Sequence, residues 1–142
     1  MMRRSRGFTL IEIMVVVVIL AILGTLVAPQ ILGRIDEARV TKARNDLRLY
    51  QSALDLYRMD NFRYPTTDQG LEALVKKPND PTLKNWRPEG YVEQLRKDPW
   101  NHDYVYVSLG LNGAPYDLMS LGADGQPGGQ GLDADISARD PQ

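Results

Sequence analysis

The chain has no cysteine and a single histidine, His102. The first absence excludes a disulfide framework and thiolate chemistry, and the second leaves little from which to build a zinc site or a histidine-based catalytic set. A basic excess is missing as well: 17 Lys and Arg stand against 18 Asp and Glu, for a net charge of −1. Because Arg3, Arg4 and Arg6 all precede Gly7, a chain beginning at Phe8 would carry −4. Neither value is the balance of a nucleic-acid-binding protein, which neutralises phosphates with Lys and Arg, so no nucleic-acid partner is expected. There is also no Walker motif or Gly-rich phosphate loop after a strand, so any nucleotide hydrolysis belongs to another protein.

What is present is a long apolar run near the N-terminus. From Phe8 to Ala28 the only charged residue is Glu12. At about 1.5 Å per residue this stretch measures roughly 30 Å, the thickness of a bilayer core. Arginines lie only on its N-terminal side, so the positive-inside rule places residues 1–7 in the cytoplasm and the rest of the chain across the membrane. A secretory signal peptide has a shorter apolar region ending in a small-x-small cleavage site, whereas this run is longer and meets Thr25-Leu26-Val27-Ala28-Pro29. The expectation is a single-pass membrane helix over 8–28, a basic leader over 1–7 and an extracytoplasmic head over 29–142. About 110 residues remain outside the span, enough for one modest core.

Glu12 is the exceptional residue of the run. A carboxylate in a bilayer core costs about 2.5–3.5 kcal/mol on insertion scales and marks a functional position by default; the bland alternative is a side chain at interfacial depth that reaches water. Cleavage after Gly7 would create the α-amine of Phe8 at nearly the same depth. Staggered neighbours could then pair Glu12 of one subunit with Phe8 of the next.

Beyond Pro29, which removes a backbone hydrogen bond and predicts a kink or looser segment, apolar positions resume at helical spacing. Val40, Ala43, Leu47, Tyr50, Leu54 and Tyr57 follow steps of 3 and 4, predicting one long helix from about 9 to about 59. Asp36, Glu37, Arg39, Asp46, Arg48 and Asp55 read as its solvated face. Thr66-Thr67-Asp68-Gln69 fits a capping box before a short amphipathic helix containing Leu71, Leu74 and Val75 and stopped by Pro78. Residues 78–99 read as a loop anchored by Trp86, Tyr91 and Leu95. Two strands, Tyr104 to Ser108 and Tyr116 to Ser120, flank Asn112-Gly113 and predict a hairpin packed on the long helix. Trp100, Tyr104, Tyr106 and Tyr116 read as packing residues.

Leu121 to Asp140 is rich in Gly and Asp, with carboxylates at Asp124, Asp133, Asp135 and Asp140 and almost no core-forming side chains. Ordering such a loop costs conformational entropy with little burial to offset it. Calcium takes 6–8 oxygen ligands of the kind this composition supplies, although the EF-hand pattern is absent, and an ordinary polar tail is the other reading.

Gly7-Phe8-Thr9-Leu10-Ile11-Glu12 resembles the class III leader of type IV pilins and pseudopilins. Tyr64-Pro65-Thr66-Thr67-Asp68-Gln69-Gly70-Leu71-Glu72-Ala73-Leu74-Val75, Asp98-Pro99-Trp100 and Ser120-Leu121-Gly122-Ala123-Asp124-Gly125 narrow the likeness to the major pseudopilins of the type II secretion system. The resemblance implies an α+β, type IV pilin-like fold, in which a long helix, half membrane and half amphipathic, packs on a head with a short helix, an antiparallel sheet and a calcium-stabilised C-terminal loop. It implies cleavage between Gly7 and Phe8 by prepilin peptidase, N-methylation of Phe8, and assembly through Glu12. It further implies a structural calcium ion held by the carboxylates of Asp124, Asp133 and Asp135 and the main-chain oxygens of Leu121 and Gln126. The implied function is that of the main subunit of a periplasmic pseudopilus, a homopolymer built from the bacterial inner membrane that helps drive folded exoproteins through the outer-membrane secretin. Its implied partners are minor pseudopilins, an inner-membrane assembly platform, the secretin and the exoproteins.

The sequence departs from that family at Asn101-His102-Asp103, where Gly-Asn-Pro is usual, and at Ser137 to Gln142, where a terminal tryptophan is usual. The nearest alternative is a surface type IV pilin for adhesion or motility, but such pilins commonly close a C-terminal disulfide loop and this chain has no cysteine. A membrane-anchored, metal-dependent hydrolase using the Asp cluster and His102 lacks a nucleophile–base arrangement or HExxH-type spacing. The expectation is a protein that is not an enzyme.

Overall fold

The computed structural model describes residues 7–141, without the side chains of 26–32. The leader residues Met1 to Arg6 lie outside the described residues. Helix α1 runs from Leu10 to Asn61, 52 residues, within about two positions of the expected ends. Its backbone stays helical through Pro29. The chain forms two compact units, residues 1–37 and 38–142.

In the first unit the described side chains from Phe8 to Thr25 are exposed around the whole helix, an apolar surface that folding of the single chain does not cover. Among the described residues no helix is long and apolar enough to cross a membrane. The expected span, 8–28, ends among the residues whose side chains are not described.

The second unit is built on the stripe predicted from spacing. Ala43, Leu47, Tyr50, Leu54 and Tyr57 are fully buried, and Val40 packs at the edge of the same cluster. One charge expected on the solvated face lies elsewhere: Asp46 is 7% exposed. It falls three residues after Ala43 and four before Tyr50, on the buried face, and is held there by Tyr104 Oη at 2.9 Å and Lys42 Nζ at 2.6 Å. A buried carboxylate is tolerable when it is hydrogen-bonded and paired.

The helix ends where the amide of Phe62 donates to the Arg58 carbonyl, with Phe62 itself at φ 62°. The predicted capping box forms: Thr66 N donates to Gln69 Oε1 at 3.0 Å, and Gln69 N to Thr66 Oγ1 at 3.2 Å. The box leads into a single 3₁₀ turn, Leu71–Leu74, rather than an α-helix. Leu71, Ala73 and Leu74 are all buried, so three of its four side chains must face the core, which suits a tight turn better than a helix with a solvent face.

Residues 75–104 contain no helix or strand and are pinned by side chains. Trp86 Nε1 donates to the Ala73 carbonyl at 2.9 Å, and the amides of Tyr91 and Val92 both donate to the Leu74 carbonyl. Arg87 pairs with Asp60, and Arg63 with Asp80. Trp86 and Tyr91 anchor the loop as expected, but Leu95 is exposed, and Leu83, 3% exposed, packs in the core. The amide of Leu83 bonds the Asp80 carbonyl, a tight turn that turns this leucine inward.

Strands β1 (Val105–Ser108) and β2 (Tyr116–Ser120) form the predicted antiparallel hairpin, with Tyr106 opposite Leu118. Asn112 and Gly113 take the positive φ values, 58° and 77°, that such turns use. A third strand, β3 (Ile136–Ser137), pairs antiparallel to β2 and completes the order β1-β2-β3. Two residues are too short a run to show period-2 alternation. Tyr104, Tyr106, Tyr116, Leu118 and Ile136 join the helix stripe in one cluster. Tyr50 meets Tyr104 edge-on at 5.4 Å between ring centroids.

Candidate functional site

At the start of α1, Thr9 and Glu12 bond reciprocally. Glu12 N donates to Thr9 Oγ1 at 3.3 Å, while Thr9 N and Thr9 Oγ1 donate to Glu12 Oε2 at 3.0 and 3.1 Å. This is a capping box, satisfying amide groups that a helix N-terminus otherwise leaves unpaired. The Thr-x-x-Glu spacing is the sequence signal for it, overshadowed by the isolated charge. Gly7 and Phe8 precede the helix in irregular backbone, and Phe8 is 82% exposed, so the peptide bond between them is accessible.

The C-terminal loop is more ordered than its composition suggested. Asp124 Oδ1 accepts from the amide of Gln126 at 3.0 Å, closing a local turn. Asp135 and Gly128 bond in both directions: Gly128 N donates to Asp135 Oδ2, and Asp135 N to the Gly128 carbonyl. Ala123 N donates to the Leu132 carbonyl, bringing the start of the loop beside its end. At Gly122, φ 68°, an added Cβ would lie 2.8 Å from the backbone of Asp133 and Ala134, so only glycine fits the crossing.

Among the described residues no three His, Cys, Asp or Glu side chains converge closely enough to hold a metal ion. Asp124 and Asp133 are exposed and Asp135 is half-buried. The donor chemistry nevertheless suits a hard cation. Asp135 Oδ1 is buried without a hydrogen-bond partner, and a carboxylate oxygen withdrawn from water with no donor is one that a cation would satisfy.

Beside this loop lies a buried hub that the sequence did not announce. Asp98, 4% exposed, accepts from the amides of Trp100 and His102 on Oδ1 and from Ser120 Oγ at 2.6 Å on Oδ2. Ser120 Oγ in turn accepts from the amide of Gly122. His102 Nδ1 lies 3.2 Å from the Gly122 carbonyl, so the histidine on which a hydrolytic reading would rest is engaged with backbone.

The pattern of the family described as "Type II secretion system (T2SS), protein G" matches residues 30–139, and the prokaryotic N-terminal methylation motif matches residues 2–28. The chain belongs to the type II secretion system protein G family. It is 57% identical over 135 residues to the type II secretion system core protein G of Pseudomonas aeruginosa, covering 94% of each chain. To the corresponding Vibrio cholerae protein it is 54% identical, covering 95% of this chain and 92% of the relative. The crystal structure of the major pseudopilin of enterohaemorrhagic Escherichia coli superposes with a TM-score of 0.65 at 43% identity, covering 75% of this chain and 90% of that one. The α+β pilin-like expectation and the pseudopilin family assignment therefore stand, and the family is a structural one.

Both departures from the family's usual sequence have a structural account. Asn101 adopts φ 73°, a left-handed conformation that asparagine tolerates better than most residues, and so fits the turn it occupies. At the C-terminus, Arg139 stacks over Tyr116 at 5.9 Å, bonds the Tyr116 carbonyl and pairs with Asp117 at 3.5 Å. Ala138 packs against the core beside it. Arg139 thus fastens this segment to the start of β2.

Proposed function

We propose that this chain is the major structural subunit of a type II secretion pseudopilus, anchored in the bacterial inner membrane with its head in the periplasm. The observation that carries the reading is the succession of two matches, the methylation motif over 2–28 and protein G over 30–139, which together account for nearly the whole chain. In this reading prepilin peptidase cuts between Gly7 and Phe8 and the new amine of Phe8 is methylated. The apolar surface left bare on Phe8 to Thr25 supports a helix buried first in lipid and then among other subunits. Glu12 pairs with the Phe8 amine of a neighbour. Growth from the membrane platform, with minor pseudopilins at hand, helps drive exoproteins through the secretin. Removing the gene should leave exoproteins in the periplasm; secretion that continues unchanged would overturn the reading. Intact mass and N-terminal sequencing of membrane-derived protein should give a start at Phe8 with one added methyl group, and a start at Met1 would sink the processing step.

The loop reading extends this to calcium. Asp124, Asp133 and Asp135, with the main-chain oxygens of Leu121 and Gln126, form the ligand set, and the lone Oδ1 of Asp135 supports it. The ion would neutralise clustered acids and fix the loop against β2. Asp124 would have to release the Gln126 amide or share its oxygens, which a two-oxygen carboxylate can do. Titration calorimetry should show calcium uptake lost in Asp135→Asn; unchanged uptake in that variant would reject the ligand assignment.

A further inference from the structure

We propose that His102 is a positioning residue for the C-terminal loop, gripping it at the two glycines that adjoin three of the proposed calcium ligands. The inference rests on the calcium reading for its purpose and on geometry for its content. A backbone carbonyl can only accept, so the 3.2 Å contact between His102 Nδ1 and the Gly122 oxygen calls for a proton on Nδ1, donated to Gly122. The ring also lies against Gly125: a Cβ built there would come within 2.9 Å of Nε2, 3.0 Å of Cε1 and 3.1 Å of Cδ2. Three ring atoms at nearly equal distance mean that the imidazole face fills the space a side chain at position 125 would take.

These two contacts reach the backbone beside Leu121 and between Asp124 and Gln126. His102 is itself held, because its amide donates to the buried Asp98 carboxylate at 2.8 Å and its carbonyl accepts from the Asp98 amide at 2.9 Å. Ser120 closes the circuit by donating to Asp98 and accepting from Gly122. The loop is therefore tied through the imidazole and the Ser120 hydroxyl to a turn that is anchored in the core. With His102 absent, the Gly122 carbonyl loses a donor and the space beside Gly125 is emptied, so the oxygens of Leu121, Asp124 and Gln126 are no longer presented in one arrangement.

The test is amide hydrogen exchange on the full chain in detergent micelles, in chelator and in calcium. In His102→Ala the amides of Gly122, Ala123 and Gln126 should exchange about tenfold faster, the loss expected from one hydrogen bond and its packing, while hairpin amides such as Tyr106 stay unchanged. The calcium dissociation constant should rise by a similar factor of about ten. His102→Asn, which keeps a side-chain donor, should recover part of both effects; His102→Phe, which keeps a ring without the donor, should loosen Gly122 more than Gln126. Unchanged loop exchange in both the Ala and Phe variants overturns the proposal, and the Phe variant decides it should the Ala variant fail to fold. If the native chain takes up no calcium, the ligand reading fails on its own, and the exchange comparison in chelator still decides the clamp.

Discussion

Tyr104 and Asp46 meet in the core at 2.9 Å. The phenol donates to a carboxylate that folding has withdrawn from water, and burial together with that hydrogen bond to Asp46 raises the Tyr104 pKa well above the usual phenol range. In Tyr104→Phe the carboxylate loses one of its two partners among the described residues and keeps Lys42 Nζ, so we expect a loss of about 1–3 kcal/mol in urea unfolding. Asp80 makes a different prediction. The Thr82 hydroxyl and amide, followed by Arg63, lower its pKa from 3.8 to about 2 in the folded chain. Its contribution to stability is complete above the ordinary carboxylate range and is lost as pH falls from about 4 through 2. Urea titrations at successively lower pH should show that loss, and it should shrink in Thr82→Val. The phenol of Tyr116, raised by burial to about 12, acts at the other end of the scale. The unfolded chain ionises first, so stability should fall as pH rises from about 10 to 12.

At the scale of elements, what could be read from the sequence depended on how many residues carried the signal. The stripe from Val40 to Tyr57 repeats over five steps, and all of its members reached the core or its edge. The β1–β2 hairpin was equally plain, because two alternating runs bracket Asn112-Gly113. Asp46 departs from its expected place because its position on the helix, not its charge, decides its burial, and its partner Tyr104 is 58 residues away. The two-residue strand β3 and the Asp98 hub are likewise long-range pairings that no local pattern announces. Around the candidate site, the residue types in the loop were legible but their arrangement was not: the backbone crossing at Gly122 shows only once Ala134 lies beside it. Gly122→Ala tests that crossing. Both the positive φ and the 2.8 Å approach oppose a side chain, so the variant should lose about 1–3 kcal/mol of stability, with protection of the Ala123 amide falling before that of the hairpin.

For the molecule as a whole, the decisive property is that its two ends are finished differently. The head closes its own core, while the helix from Phe8 to Thr25 leaves its apolar side chains uncovered. Changes at Glu12 should therefore spare the head and affect only assembly. Glu12→Gln should leave the unfolding midpoint of the second unit unaltered, yet reduce filaments seen by electron microscopy and exoprotein release together. An equal yield of filaments would remove Glu12 from the assembly reading. In the assembly reading, the bonds between Thr9 and Glu12 would also set the terms on which subunits join. A carboxylate already satisfied inside its own chain does not gain a first partner on polymerisation; it exchanges one for another. If Glu12 meets the Phe8 amine of a neighbour, each joint is worth only the difference between two charge-assisted hydrogen-bond sets rather than the rescue of a stranded charge. A polymer joined by such exchanges would draw its strength chiefly from the apolar surface of Phe8 to Thr25 rather than from the charge pair alone.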